Sequence, residues 1–217
     1  MSRKLTLPDS PNMDAADGDG RLFAPSAQRN MDYIIDLVRA HAPATGKALE
    51  IASGTGEHAV ALARALPQLQ WQPSDPDADR RRSINAHGAG QDNLADAIAL
   101  NATAVGWSAD HGGQNLILLV NLLHLISTDE AKRLIAEAAQ ALAPGGVFIV
   151  YGPFLRDGET TSEGDARFHA SLQAQDAAIG YKDDWDVIDW LQTNWLEMVQ
   201  VVEMPANNLS FIARRPG

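Results

Sequence analysis

No cysteine occurs among the 217 residues, which removes disulfides, thiolate zinc sites and thiol nucleophiles together and points to a reducing cytoplasm. Basic side chains are scarce as well: 17 Lys and Arg stand against 28 Asp and Glu, a formal net charge of −11. A surface of that sign repels phosphate backbones, so no nucleic-acid partner is expected. Long apolar runs are missing. The longest, Leu116 to Ile126, is interrupted by Asn121 and His124 and is too short to cross a bilayer, so no membrane partner is expected. The opening MSRKLTLPDS carries basic charge but no apolar stretch before Pro8 and Asp9, so no secretory signal is expected. The histidines show no paired zinc spacing, and no metal site is expected.

What remains is the make-up of a globular domain. Residues 1–24, with Asp9, Asp14, Asp17 and Asp19 among Ser, Pro, Asn and Gly, lack an apolar period and read as a mobile arm; residues 25–217 read as one domain. Met31, Ile34, Ile35 and Val38 fall at helical spacing before Pro43. A strand, Ala48 to Ala52, then meets the turn Ser53 to Gly56, and Ala59, Leu62, Ala63 and Leu66 mark a helix stopped by Pro67. Further strands are expected at Leu69–Ser74, Asp96–Asn101, Asn115–Leu122 and Val147–Tyr151, with a helix capped by Asp77 and another opened by the capping box Ser127 to Glu130. Two weaker helices follow, near Phe168–Ile179 and Asp184–Thr193, and Leu196–Glu203 with Leu209–Ala213 form a terminal antiparallel pair. Alternating strands and helices give a doubly wound α/β fold with a mostly parallel seven-stranded sheet and an antiparallel hairpin at its end.

In such sheets ligands sit beyond the carboxyl ends of the strands, where the strand order reverses. In Glu50-Ile51-Ala52-Ser53-Gly54-Thr55-Gly56 the glycines permit a tight turn and close approach of a ligand, and the next helix points free N–H groups at it. With Ala59 the turn also satisfies the dinucleotide pattern G-x-G-x-x-A, so a nicotinamide cofactor stays open. Glu50, four residues before the first glycine (54 − 50), favours S-adenosylmethionine, because a dinucleotide turn normally follows an apolar strand. Asp75, 19 residues after Gly56 (75 − 56), is placed to accept from ribose hydroxyls, and Asn101 from an adenine amino group. Asn121 and His124 leave the fourth strand where an acceptor would dock: Asn121 can donate and accept, and His124 has the ring of a general base. His124 also reads as a partly buried structural histidine, Tyr151 as a packed ring, and Asn207-Asn208 as a hairpin turn.

Glu50 to Gly56, Trp71-Gln72-Pro73-Ser74-Asp75, Leu142 to Gly146, Tyr151-Gly152-Pro153-Phe154 and Met204-Pro205-Ala206-Asn207-Asn208, taken in order, resemble an uncharacterised methyltransferase-like family of bacterial and eukaryotic proteins. That family is assigned to the class I S-adenosylmethionine-dependent methyltransferases, with the substrate unknown. The resemblance covers about residues 24–215. It implies that Glu50, Ser53 and Gly54 hold the methionine end and Asp75 the ribose; Ala52, Gly56, Asn101 and Asn121 are the further residues expected to contact the cofactor. It also implies that Arg29 and Asn30 lie over the cofactor or substrate; Tyr151, Asn207 and Asn208 are the further substrate-side candidates. The chain departs from the pattern at Asn101, where the family usually has Asp, and at Asp165, His169 and Gln173, where it usually shows Asn, Asp and Arg.

The expected function is therefore methyl transfer from S-adenosylmethionine to a small molecule, with His124 and Asn121 as the catalytic candidates and residues 152–195 covering the acceptor. Two rivals stand beside it: a nicotinamide-dependent oxidoreductase, and a nonenzymatic protein that binds S-adenosylmethionine or S-adenosylhomocysteine.

Overall fold

The computed structural model describes Leu5 and residues 20–217. Most of the expected arm lies outside them. Its last residues are pinned: Leu22 N donates to Ser83 Oγ (2.8 Å), His87 Nε2 bonds Leu22 O (2.8 Å), and Ala24 N donates to Glu57 Oε2 (2.7 Å).

The chain runs α1 (Pro25–His41), β1 (Gly46–Ile51), α2 (Glu57–Ala65), β2 (Leu69–Pro73), α3 (Ala78–Gly88), the short α4 (Trp107–Asp110), β3 (Gln114–Val120), α5 (Thr128–Ala141), β4 (Leu142–Leu155), α6 (Glu163–Gln175), β5 (Lys182–Asp183), α7 (Asp184–Thr193), β6 (Glu197–Glu203) and β7 (Asn208–Arg214). The local signals act as their chemistry requires. Pro25 opens α1 where its missing N–H costs nothing. The Asp77 side chain accepts from the amides of Asp79 and Arg80 at the start of α3, and Ser127 and Glu130 close a reciprocal capping box on α5.

The sheet has the order β2-β1-β3-β4-β7-β6, with β5 paired to the end of β4. Pairings among β1 to β5 are parallel, and β7 is antiparallel to both β4 and β6. One expected strand does not form. Residues 94–98 make only isolated parallel bridges to Trp71 and Ser74. Pro73 in the partner strand offers a carbonyl to Ile98 N but has no N–H to return, and the alanines of the segment pack little against a sheet. The seventh strand is instead β5, two residues long.

Apolar residues alternate across the sheet. Ala48, Leu116, Leu118 and Ile149 pack under α1 and α2, whereas Leu49, Ile117, Leu119, Phe148 and Val150 pack under α5 and α7. β1 lies between β2 and β3, so the strand order reverses beside its carboxyl end.

Candidate functional site

Past the end of β1 the backbone turns left-handed at Ala52 (φ +54°), Gly54 (+60°) and Gly56 (+97°). The two glycines serve different ends. A Cβ on Gly56 would sit 2.6 Å from the Ile84 Cα, so glycine there lets α3 pack against the turn. A Cβ on Gly54 would meet nothing within 4 Å, so the space over it is open. α2 has Gly56 as its N-cap, with no side-chain cap, which leaves its first amides facing outward with the positive end of the helix dipole.

Glu50 is only 2% exposed, and its Oε2 has no hydrogen-bond partner among the described residues. Burial pushes its carboxyl up to about 8; Ser53 opposes this and the Asp75 carboxylate reinforces it. A buried carboxyl with an unmatched oxygen costs free energy unless a donor reaches it. Asp75 is also fully buried. Its Oδ2 accepts from Gly54 N (3.1 Å), its Oδ1 from Asp77 N (2.9 Å), and Arg80 stands 3.7 Å away. Burial raises its pKa against the pull of Asp77, Arg80 and Gly54. Asp75 therefore ties the β1 turn to the β2 turn as well as standing where a ribose is expected. Ser53 contributes to the same tie, its N donating to Ser74 O and its Oγ accepting from Ser74 N. Asn101 is exposed, and its Oδ1 already accepts from Thr103 N and Oγ1, so the group it presents outward is the Nδ2 donor.

A cavity of about 400 Å³ gathers most of the substrate-side candidates: Arg29 and Asn30 from α1, Asn121 and His124 after β3, Tyr151 from β4, and Asn208 from β7. Asn207 lies beside it, donating through Nδ2 to Asp165 Oδ2 (2.9 Å). Asn121 takes the left-handed conformation at φ +56°, its N bonded to Tyr151 O (2.9 Å). His124 is buried, and no group among the described residues hydrogen-bonds its ring. Its ring stands edge to face with Phe168 (5.7 Å) and Tyr181 (6.1 Å). Burial, aided by the Lys182 charge, pushes its imidazole down to about 3, so it is neutral near pH 7 and a weak base.

Three further cavity residues, Asp165, Phe168 and Tyr181, were not among the sequence-derived site candidates. Asp165 accepts from Thr161, Ser162, Tyr181 and Asn207; burial raises its carboxyl, but these four donors outweigh it and hold the pKa low. The available signal was Ser162 three residues before Asp165, an N-cap spacing. Tyr181 had no such mark. His169 uses Nδ1 to accept from Tyr181 N, a packing role.

A family model described as "Protein of unknown function (DUF938)" matches residues 21–215. The chain belongs to that family. Solved structures with the same fold include an O-methyltransferase family protein from Burkholderia thailandensis (20% identity, TM-score 0.74, covering 88% of this chain and 57% of that one). Human N-acetylserotonin methyltransferase in complex with SAM matches at 12% identity and TM-score 0.74, over 88% of this chain and 53% of the other. PigF with SAH matches at 15% identity and TM-score 0.72, over 88% and 56%. The DUF938 chain spans a little over half the length of these proteins. Among its described residues no helix is long and apolar enough to cross a membrane.

Proposed function

We propose that the protein is an S-adenosylmethionine-dependent methyltransferase acting on a small-molecule acceptor. The observation that carries this reading is the buried, unpartnered Oε2 of Glu50 beside the open space over Gly54. Such a carboxyl lacks a cationic donor, while the uncapped amides of α2 suit an anion. An amino-acid end brings both charges. A dinucleotide would bring pyrophosphate but no cation to Glu50 and leave Oε2 unmatched, which counts against the oxidoreductase reading.

In this reading Glu50, Ala52, Ser53, Gly54 and Gly56 hold the methionine end, Asp75 takes the ribose, and Asn101 offers its amide to the adenine. Asn121, at the end of β3, stands between cofactor and acceptor. The cofactor supplies an electrophilic methyl group for in-line displacement. The chain's own work is to place the acceptor atom and exclude water. Arg29, Asn30, Tyr151, Asn207 and Asn208 position the acceptor, and the segment from Gly152 to Tyr181 covers it through Asp165, Phe168 and Tyr181. His124 contributes a neutral ring that can donate or accept a hydrogen bond.

A noncatalytic cofactor-binding protein is the second reading. It draws support from the cavity's shifted side chains: burial moves His124 down and Tyr151 up, and neither titrates near neutrality. Calorimetric titration with S-adenosylhomocysteine and, separately, NADH decides the cofactor: heat with the first and none with the second is expected, and the reverse would overturn the proposal. Methyl-labelled S-adenosylmethionine incubated with a metabolite extract then decides catalysis, label transfer being expected from an enzyme and none from a binding protein.

A further inference from the structure

His58, the second residue of α2, belongs to no motif, yet it is buried, and its Nε2 lies 2.8 Å from the Asn30 Oδ1. Asn30 is itself buried at the cavity wall. An amide oxygen only accepts, so the imidazole nitrogen facing it must carry hydrogen. Burial pushes His58 down to about 4, so the ring is neutral near pH 7 and has a single N–H to give. With Oδ1 taken, the Asn30 amide has only its Nδ2 left to donate, and the Tyr151 hydroxyl lines the same cavity, its pKa raised by burial with Asn30 opposing the shift. A hydroxyl that accepts from Nδ2 has its own proton left to donate, and Tyr151 lines the cavity.

We propose that His58 is a positioning residue for the acceptor site: it locks the Asn30 amide so that the Tyr151 hydroxyl points its proton into the cavity, toward an oxygen or nitrogen acceptor on the bound molecule. The inference rests on the reading of that cavity as the acceptor site, but the hydrogen-bond chain itself needs no ligand. It also links the helix that opens beside the glycine turn to the wall of the cavity, so both sites share one structural element. Swapping the Asn30 amide would present Oδ1 to Tyr151, and the tyrosine proton would then be consumed inside the wall.

The test is NMR on the full chain without ligand. In the wild type, 15N shifts of His58 should report the Nε2–H tautomer at neutral pH; an Nδ1–H tautomer overturns the proposal without any mutation. With tyrosine labelled at Cζ, His58→Leu should move the Tyr151 signal, while His58→Gln, which keeps an N–H donor, should leave it near its wild-type position. A Tyr151 signal unmoved in His58→Leu, or moved equally in both variants, assigns His58 a packing role only and overturns the proposal. Titration of the same variants with S-adenosylhomocysteine separates this failure from failure of the cofactor reading. Unchanged affinity is expected, since no link of the chain touches Glu50 or Gly54.

Discussion

The two halves of the site are built in different ways. The half at the end of β1 comes from short, contiguous stretches, residues 50–56 and 73–75, and is shaped mainly by backbone: left-handed turns, free amides and a buried carboxyl. The cavity half is assembled from side chains of α1, the turn after β3, β4, α6, the approach to β5, and β7. A backbone-built half depends on glycine and tolerates little substitution in its turn, whereas a side-chain-built half can change its lining while the fold stays intact. Their electrostatics also differ in sign. Burial raises Glu50 on one side and lowers His58 and His124 on the other, so alkali should strain the first and acid the second.

Glu50 offers the largest effect. Its folded pKa is raised from 4.5 to about 8, so the folded state holds an extra proton across that window and loses stability as pH rises through it. Glu50→Gln should therefore be more stable than the wild type by about 3 kcal/mol at pH 7, with a difference that widens up to pH 8 and vanishes below pH 4.5. Urea unfolding across pH measures it. Next come the glycines, which receive the same substitution in unlike surroundings. Gly56→Ala, strained and set against the Ile84 backbone, should cost about 2–3 kcal/mol. Gly54→Ala should cost only the left-handed strain, about 1–2 kcal/mol. It should instead weaken S-adenosylhomocysteine at least about tenfold, since its methyl enters the ligand space. Equal stability losses with equal affinities would erase the distinction drawn between them.

On the cavity side, His124 has a folded pKa lowered from 6.5 to about 3, so stability is lost as pH falls below 6.5. His124→Phe should recover about 2 kcal/mol at pH 5 relative to pH 7, read from the same unfolding curves. A change in stability between pH 7 and pH 5 that is the same in His124→Phe as in the wild type would contradict the neutral, buried ring. The smallest effect is expected at the hairpin tip. Asn207→Gly removes the bond to Asp165 but also relieves the left-handed strain at φ +59°, for a net change below about 1 kcal/mol and no change in S-adenosylhomocysteine affinity.

The same contrast governs what the sequence made legible. The β1 turn could be read because its function lies in local order: a carboxylate, two glycines and a helix start within a few residues. Asn30, Asn121 and Tyr151 could be placed on one edge because Asn30 stands early in a helix, Asn121 follows a strand directly, and Tyr151 lies toward the carboxyl end of β4. The return of the segment after β4 could be expected from its length, but Asp165 and Tyr181 could not be singled out within it, since they meet only when it folds back over the cavity. The strand expected at Asp96–Asn101 failed for a related reason. Ile98 and Leu100 alternate with smaller residues as in a strand, but the pairing depends on a neighbour whose Pro73 has no N–H to complete the ladder. His58 was passed over as one of several histidines without zinc spacing, and only the approach of α1 to α2 gives it a partner.

The central claim, that Glu50 receives the ammonium of the cofactor's amino-acid end, has a direct thermodynamic signature. Without ligand the Glu50 carboxyl is largely protonated at pH 7, and a cationic donor at Oε2 would favour its ionised form, so binding must expel a proton. Titrating S-adenosylhomocysteine at pH 7 in phosphate and in Tris, buffers of low and high ionisation enthalpy, counts that proton. Release of close to one proton per site in the wild type, and none in Glu50→Gln, is the predicted result; binding with no buffer-dependent heat in the wild type would contradict the account.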